Sequence, residues 1–232
     1  TVDTTRYAYL CEKLCANEMS ALFTGNSGTG KSVIIMDMLN KRAEARKFLI
    51  VNVTFSAQTK AIRVQENLEE KLASKRKTCL GAPPGKKVAL FVDDINMPMV
   101  EEYGAQPPIE MMRFIQDQNA MYQRKQWYWK DVQDTSVIAA CGPPGGGRNH
   151  MTPRYVRHFS VFCLPEANED ALGRIFGTIV NGFTKALNFA DDVQKSSDHI
   201  VAATIDVYNQ CAENLLPTPT KSHYTFNLRD MS

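Results

Sequence analysis

At 232 residues the chain is long for one domain and short for two, so a main domain with an appendage is expected. A 44% hydrophobic content is ordinary for a folded globular protein, and 27 basic against 25 acidic residues leave a formal charge of +2. That balance gives no field to draw nucleic acid or acidic lipid, and apolar runs such as Val88 to Val92 are far too short to span a bilayer.

Thr1 stands where a methionine would open a full protein, and Asp230-Met231-Ser232 closes in what reads as an unfinished helix, so a fragment of a longer chain is expected. Cys11 and Cys15 fall one helical turn apart, the spacing of two buried thiols. The six cysteines show no C-x-x-C pair and no zinc-ligand spacing, which favours a reducing, intracellular compartment. From residue 20 to 164, β-rich runs alternate with helical patterns. Strands are predicted over Met19 to Thr24, Phe48 to Phe55, Val88 to Val92, Thr135 to Cys141 and His158 to Leu164. Most are continuously apolar, as strands covered on both faces are. Helices are predicted over Lys31 to Arg46, Lys60 to Arg76 and Ile109 to Gln118, the second on the spacing of Ala61, Val64, Leu68 and Leu72. The basic runs Lys75-Arg76-Lys77 and Lys86-Lys87 read as a solvated helix end and a loop, and the Gly-Pro clusters at 81–85 and 142–147 as loops. Such alternation predicts an α/β fold: a parallel five-stranded sheet with helices on both faces.

After Pro165 the pattern is helical only. Leu172, Ile175, Ile179, Phe183 and Leu187 make one predicted apolar face, and Val201, Ile205, Tyr208, Ala212 and Leu215 another, with Pro217 and Pro219 stopping the second helix. The expected division is a nucleotide-binding domain over 1–164 and an incomplete helical lid over 165–232.

Residues 25–32 read Gly25-Asn26-Ser27-Gly28-Thr29-Gly30-Lys31-Ser32, the G-x-x-x-x-G-K-[ST] pattern, set between a predicted strand and helix. A chain of this length matches it by chance roughly once in a hundred. Gly28 and Gly30 let successive backbone N–H groups face phosphates, the helix start through Lys31, Ser32 and Val33 adds its positive end, Lys31 reaches the β- and γ-phosphates, and Ser32 ligates magnesium. Asp93-Asp94 follow the strand Val88 to Val92, which puts them at the carboxyl edge where α/β ligands bind. Asp93 is assigned to magnesium, directly or through water, and Asp94 to the catalytic base that orients attacking water. No Asn-Lys-x-Asp guanine motif is present, so ATP or ADP with Mg2+ is the expected ligand.

The runs Phe91 to Pro98, Tyr103 to Glu110, Gly142 to Asn149, Pro153 to Phe159 and Ser222 to Asp230 together resemble the AAA+ modules of dynein heavy chains. With Thr1 to Thr4 and Phe55 to Thr59, the likeness runs nearly end to end and points to the third of six ring modules of an axonemal chain, closer to inner-arm than outer-arm types. The resemblance implies an AAA+ large domain with a helical lid and a sensor arginine at Arg229 reaching the γ-phosphate. It implies a finger at Arg154 or Arg157 serving a neighbouring module, and a β-hairpin insert carrying Trp127 to Lys130. It also implies ATP-driven motility in cilia and flagella, with neighbouring modules, intermediate and light chains, and microtubules as partners, in the cytoplasm, cytoskeleton and axoneme. Two departures stand out. Asp94 replaces the usual glutamate, one methylene shorter, and the fourth strand ends Ala140-Cys141-Gly142 where a polar sensor is usual. Both favour the alternative of a regulatory or structural nucleotide-binding module with little hydrolysis of its own.

Overall fold

The computed structural model describes residues 2–44, 48–221, 224 and 226–231. The chain divides into two compact units, one of residues 2–26 and 30–164, the other of residues 165–232 together with 27–29.

The first unit opens with helix α1 (Val2–Ala16), strand β1 (Ser20–Thr24), helix α2 (Lys31–Glu44) and strand β2 (Phe48–Thr54). Residues 45 and 46 of the expected helix lie outside the described residues. Next come α3 (Ala61–Lys71), β3 (Ala73–Arg76), β4 (Cys79–Gly81), β5 (Lys87–Asp93), α4 (Pro107–Gln118), β6 (Ala120–Tyr122), β7 (Trp129–Val132), β8 (Thr135–Cys141), α5 (Pro153–Val156) and β9 (Phe159–Cys163). Five strands form one parallel sheet in the order β2-β5-β8-β1-β9, as expected from the apolar runs.

Alternation along each strand divides two cores between the faces. Val88, Leu90 and Val92 of β5 join Val64 and Leu68 of α3 and Ile109, Met112 and Ile115 of α4. Ala89 and Phe91, from the same strand, join Cys11 and Cys15 of α1 and Ile34, Ile35, Met38 and Leu39 of α2. Side chains two apart share a face, so one continuous apolar run supplies both cores. Cys11 and Cys15 are both buried, as their spacing suggests.

The helix expected over Lys60 to Arg76 ends at Lys71. Leu72 turns extended at φ −81°, ψ 139°, and Ala73–Arg76 instead pairs antiparallel with β4, with a register irregularity between Ser74 and Arg76. The apolar spacing stops at Leu72, and the segment after it is polar and held by strand pairing. A second, four-stranded sheet results, in the order β3-β4-β7-β6. The aromatics at its β6–β7 hairpin divide. Trp129 packs edge-on to Tyr122 at 5.0 Å and to Phe114 at 5.9 Å, while Trp127 is 76% exposed.

The helical unit holds α6 (Glu169–Ala186), α7 (Asp191–Asn214) and the short α8 (Leu228–Met231). Asn168 caps α6, its side chain accepting from the Ala171 N–H at 3.0 Å, with Glu169 and Asp170 in the first turn. Its core is Leu172, Val201 and Ile205, with Phe176 and Val180 packed against them. The predicted α6 face is therefore corrected: Leu172 is buried, but Ile179 and Phe183 are 61% and 60% exposed, and Ile175 and Leu187 are exposed too. The buried positions include the small residues Gly177 on α6 and Ser197 on α7. Leu172 packs against Val201 and Ile205 of α7, and that pairing leaves the competing stripe of larger residues in solvent. No described helix is long and apolar enough to cross a membrane.

Candidate nucleotide site

The site begins where β1 ends. Thr24 passes into a loop in which Gly28 and Gly30 take φ of +83° and +82°, left-handed conformations that glycine adopts without penalty. α2 starts at Lys31, so the loop's backbone runs straight into the positive end of a 14-residue helix. Within the helical unit, a Cβ on Gly28 would lie 3.1 Å from the Leu228 backbone nitrogen and 3.3 Å from Asn227 Oδ1, closer than a Cβ ordinarily sits to its neighbours.

Lys31 folds back on its own loop, Nζ donating to Gly25 O at 2.8 Å and Asn26 O at 2.7 Å. Burial pulls its ammonium below the usual lysine range. The Arg148 charge adds to this, while Cys141, Asp94 and Asp93 oppose it. A half-buried cation held in this way favours an anionic ligand. Ser32, one residue on, donates from Oγ to Asp93 Oδ2 at 2.8 Å. The structure thus brings together two hard oxygens from elements distant in sequence. Asp93 ends β5, paired with Thr54 of β2, and its other oxygen accepts from the Asp94 N–H at 3.1 Å.

Asp94 leaves the strand at φ +51°, a left-handed conformation that aspartate tolerates better than most residues. Its Oδ1 is 3.6 Å from Arg148 Nη2. Cys141, at the end of β8, faces the same end of the sheet. Burial pushes its thiol up, against the opposing effects of a Thr24 hydrogen bond and the Lys31 and Arg148 charges. The Val33 side chain is 73% exposed.

Arg154 and Arg157 lie elsewhere. Arg157 precedes β9 and so stands at the amino ends of the parallel strands, opposite the glycine loop. Its Nη2 is 2.9 Å from Asp117 Oδ1, which also meets His158 at 3.1 Å, and Arg113 pairs with the other Asp117 oxygen. Arg154 is exposed on α5. Arg229 is exposed on α8 in the helical unit, its backbone N–H donating to Asn227 Oδ1 at 2.8 Å.

Sequence reasoning passed over two residues that the structure places at this end of the sheet. Buried Asn96 donates from Nδ2 to Gly142 O at 2.9 Å and Asn149 O at 3.3 Å, tying the turn after β5 to the turn after β8. Arg148 is the second. Both sit inside the runs that carry the resemblance, but no spacing rule gives either one a role.

The donor set fits a nucleotide with a divalent cation: a glycine loop opening a helix, a lysine amid its carbonyls, and a serine hydroxyl on a carboxylate. Residues 1–167 match the family described as P-loop containing dynein motor region. The chain belongs to that dynein family. Nucleotide binding comes with the P-loop that defines it. Across all 232 residues the chain is 51% identical to dynein axonemal heavy chain 6 of Homo sapiens, covering 100% of this chain and 6% of that protein. It is 43% identical to dynein axonemal heavy chain 12 of Rattus norvegicus, covering 100% and 8%, and 41% identical to dynein axonemal heavy chain 1 of Homo sapiens, covering 100% and 6%. The dynein relatives are thus more than ten times the length of the stretch they share with this chain.

Proposed function

We propose that this chain is an ATP-binding AAA+ module of an axonemal dynein heavy chain, the third of the ring and of inner-arm type. In that setting it contributes to ATP-driven, microtubule-based motility of cilia and flagella. Residues 1–164 form its nucleotide-binding domain and 165–232 part of its helical lid. Neighbouring modules, intermediate and light chains, and microtubules are its partners through the longer protein, and the axoneme is its place.

The observation that carries the reading is the 2.8 Å bond between Ser32 and Asp93 beside the Lys31 loop. Gly25 to Val33 would cradle the phosphates of ATP or ADP, Lys31 would turn from its loop carbonyls to the β- and γ-oxygens, and Ser32 with Asp93 would hold Mg2+. A cation held by Ser32 and Asp93 would supply charge neutralisation at the phosphates. Arg229 would reach the γ-phosphate from the lid, and Arg154 or Arg157 would serve a neighbour's nucleotide.

A second reading, a regulatory or structural module with little turnover, is favoured by one specific contact. Asp94, already a methylene short of glutamate, is paired with Arg148, and the strand end beside it offers only Cys141 and Gly142. A base displaced from its water by about an ångström loses on the order of a hundredfold in rate.

Titration calorimetry with magnesium, run beside steady-state phosphate release, tests both readings. Wild type is expected to bind ATP and ADP, and Lys31→Ala to weaken both at least tenfold, with turnover near background. A folded wild-type chain that binds neither nucleotide would sink the proposal. Brisk turnover that Asp94→Asn abolishes would overturn the regulatory reading alone.

A further inference from the structure

The turn after β8 delivers a second cation to the nucleotide end of the sheet. Gly145 and Arg148 close a two-residue hairpin, the Gly145 N–H donating to Arg148 O at 2.9 Å and the Arg148 N–H to Gly145 O at 3.0 Å. Gly146 and Gly147 at its tip have φ of +56° and +85°, the pair of left-handed values that a type I′ turn needs. On the far side the Asn149 N–H donates to Asn96 O at 2.9 Å, so the backbone on both sides of Arg148 is fixed.

The side chain then lies back across Gly142. A Cβ at that position would stand 2.6 Å from Arg148 Nε and 2.7 Å from Cδ, closer than non-bonded atoms come. Gly142 is therefore the seat of the guanidinium, and the strand end lacks a side chain of its own because Arg148 fills the space. Nε is buried with no hydrogen-bond partner among the described residues. Nη2 is 3.6 Å from Asp94 Oδ1, an ion pair too long to be a hydrogen bond. A buried, under-satisfied donor on a charged group calls for a stronger acceptor than the chain supplies.

We propose that Arg148 is a phosphate sensor acting within its own module. Without nucleotide it rests loosely on Asp94, and a triphosphate draws it onto the terminal phosphate and frees Asp94. Arg148 thereby supplies the polar group that the strand end at Cys141-Gly142 lacks. The inference rests on the reading of Gly25 to Ser32 as a nucleotide site.

The test compares the affinities of ADP and a non-hydrolysable ATP analogue, with magnesium, by titration calorimetry on the 232-residue chain. Arg148→Gln keeps the stem over Gly142 and removes the charge. It is expected to weaken the analogue at least tenfold and ADP less than twofold. Arg148→Lys recovers part of the loss, since a lysine lacks the planar fork. Gly142→Ala, which unseats the guanidinium without removing it, is expected to repeat the Arg148→Gln pattern. Equal losses for the two nucleotides, or none, would overturn the sensor while leaving the nucleotide site in place. ADP binding that Lys31→Ala does not weaken would overturn the nucleotide site itself, and the sensor with it.

Discussion

Tyr155 is wholly buried on α5, packed edge-on to Phe159 at 5.1 Å, and its hydroxyl has no hydrogen-bond partner among the described residues. Burial pushes its ionisation far above the usual tyrosine range. A stranded hydroxyl costs about 1–3 kcal/mol in desolvation, whereas its ring contributes packing that phenylalanine keeps. Tyr155→Phe is therefore expected to leave stability unchanged or raise it by about 1 kcal/mol, read as a shift in urea midpoint. A loss of that size instead would mean that the hydroxyl is bonded in solution. At this scale the sequence was legible where a motif has mechanics of its own. Ser32 bonds Asp93 from the end of a neighbouring element, and Lys31 lies on the carbonyls of its own loop. It was silent on Arg148 and Asn96, because an arginine in a glycine-rich turn has no fixed address until the turn is folded. Gly142 looked like a missing side chain, and it is the place where another one rests.

Among the elements, the five strands of the large sheet could be read because each is an apolar run of the right length bounded by turn residues. Of the second sheet only the β6–β7 hairpin was expected, as the insert that the resemblance implied, and β3 and β4 were not. Ala73–Arg76 is polar and only partly buried at one end, so nothing in its pattern separates it from the tail of α3 until β4 pairs with it. α6 shows a different failure. Its apolar residues populate two adjacent stripes, and period alone cannot choose between them; packing of Leu172 against Val201 and Ile205 of α7 does. The choice has a measurable consequence. Asn168→Ala, which removes the α6 cap, is expected to cost about 1 kcal/mol. Ile179→Ser, on the exposed stripe, is expected to stay within about 0.5 kcal/mol. Denaturant unfolding of the two variants decides it: a larger loss from Ile179→Ser than from Asn168→Ala would restore the face that periodicity suggested.

For the whole molecule, ligand binding and stability are linked. A ligand that binds the folded chain and not the unfolded one, at about a hundred times its Kd, adds about 2.7 kcal/mol. ATP analogue with magnesium is expected to raise the unfolding midpoint accordingly, chelating the magnesium to shrink the shift, and Lys31→Ala to erase it. A shift that survives chelation in full would remove Ser32 and Asp93 from the cation site. The strand order has a further consequence, for synthesis on the ribosome. β1 leaves the exit tunnel early, yet its only partners in the sheet are β8 and β9, the last strands of that unit to be made. β2 and β5 find each other first, so until β8 is made the strand that launches the phosphate loop waits with both edges open, shielded by its neighbouring helices. The loop takes its final anchorage last, and a ribosome stalled before residue 135 would hold a chain in which β1 is made and neither of its partner strands is.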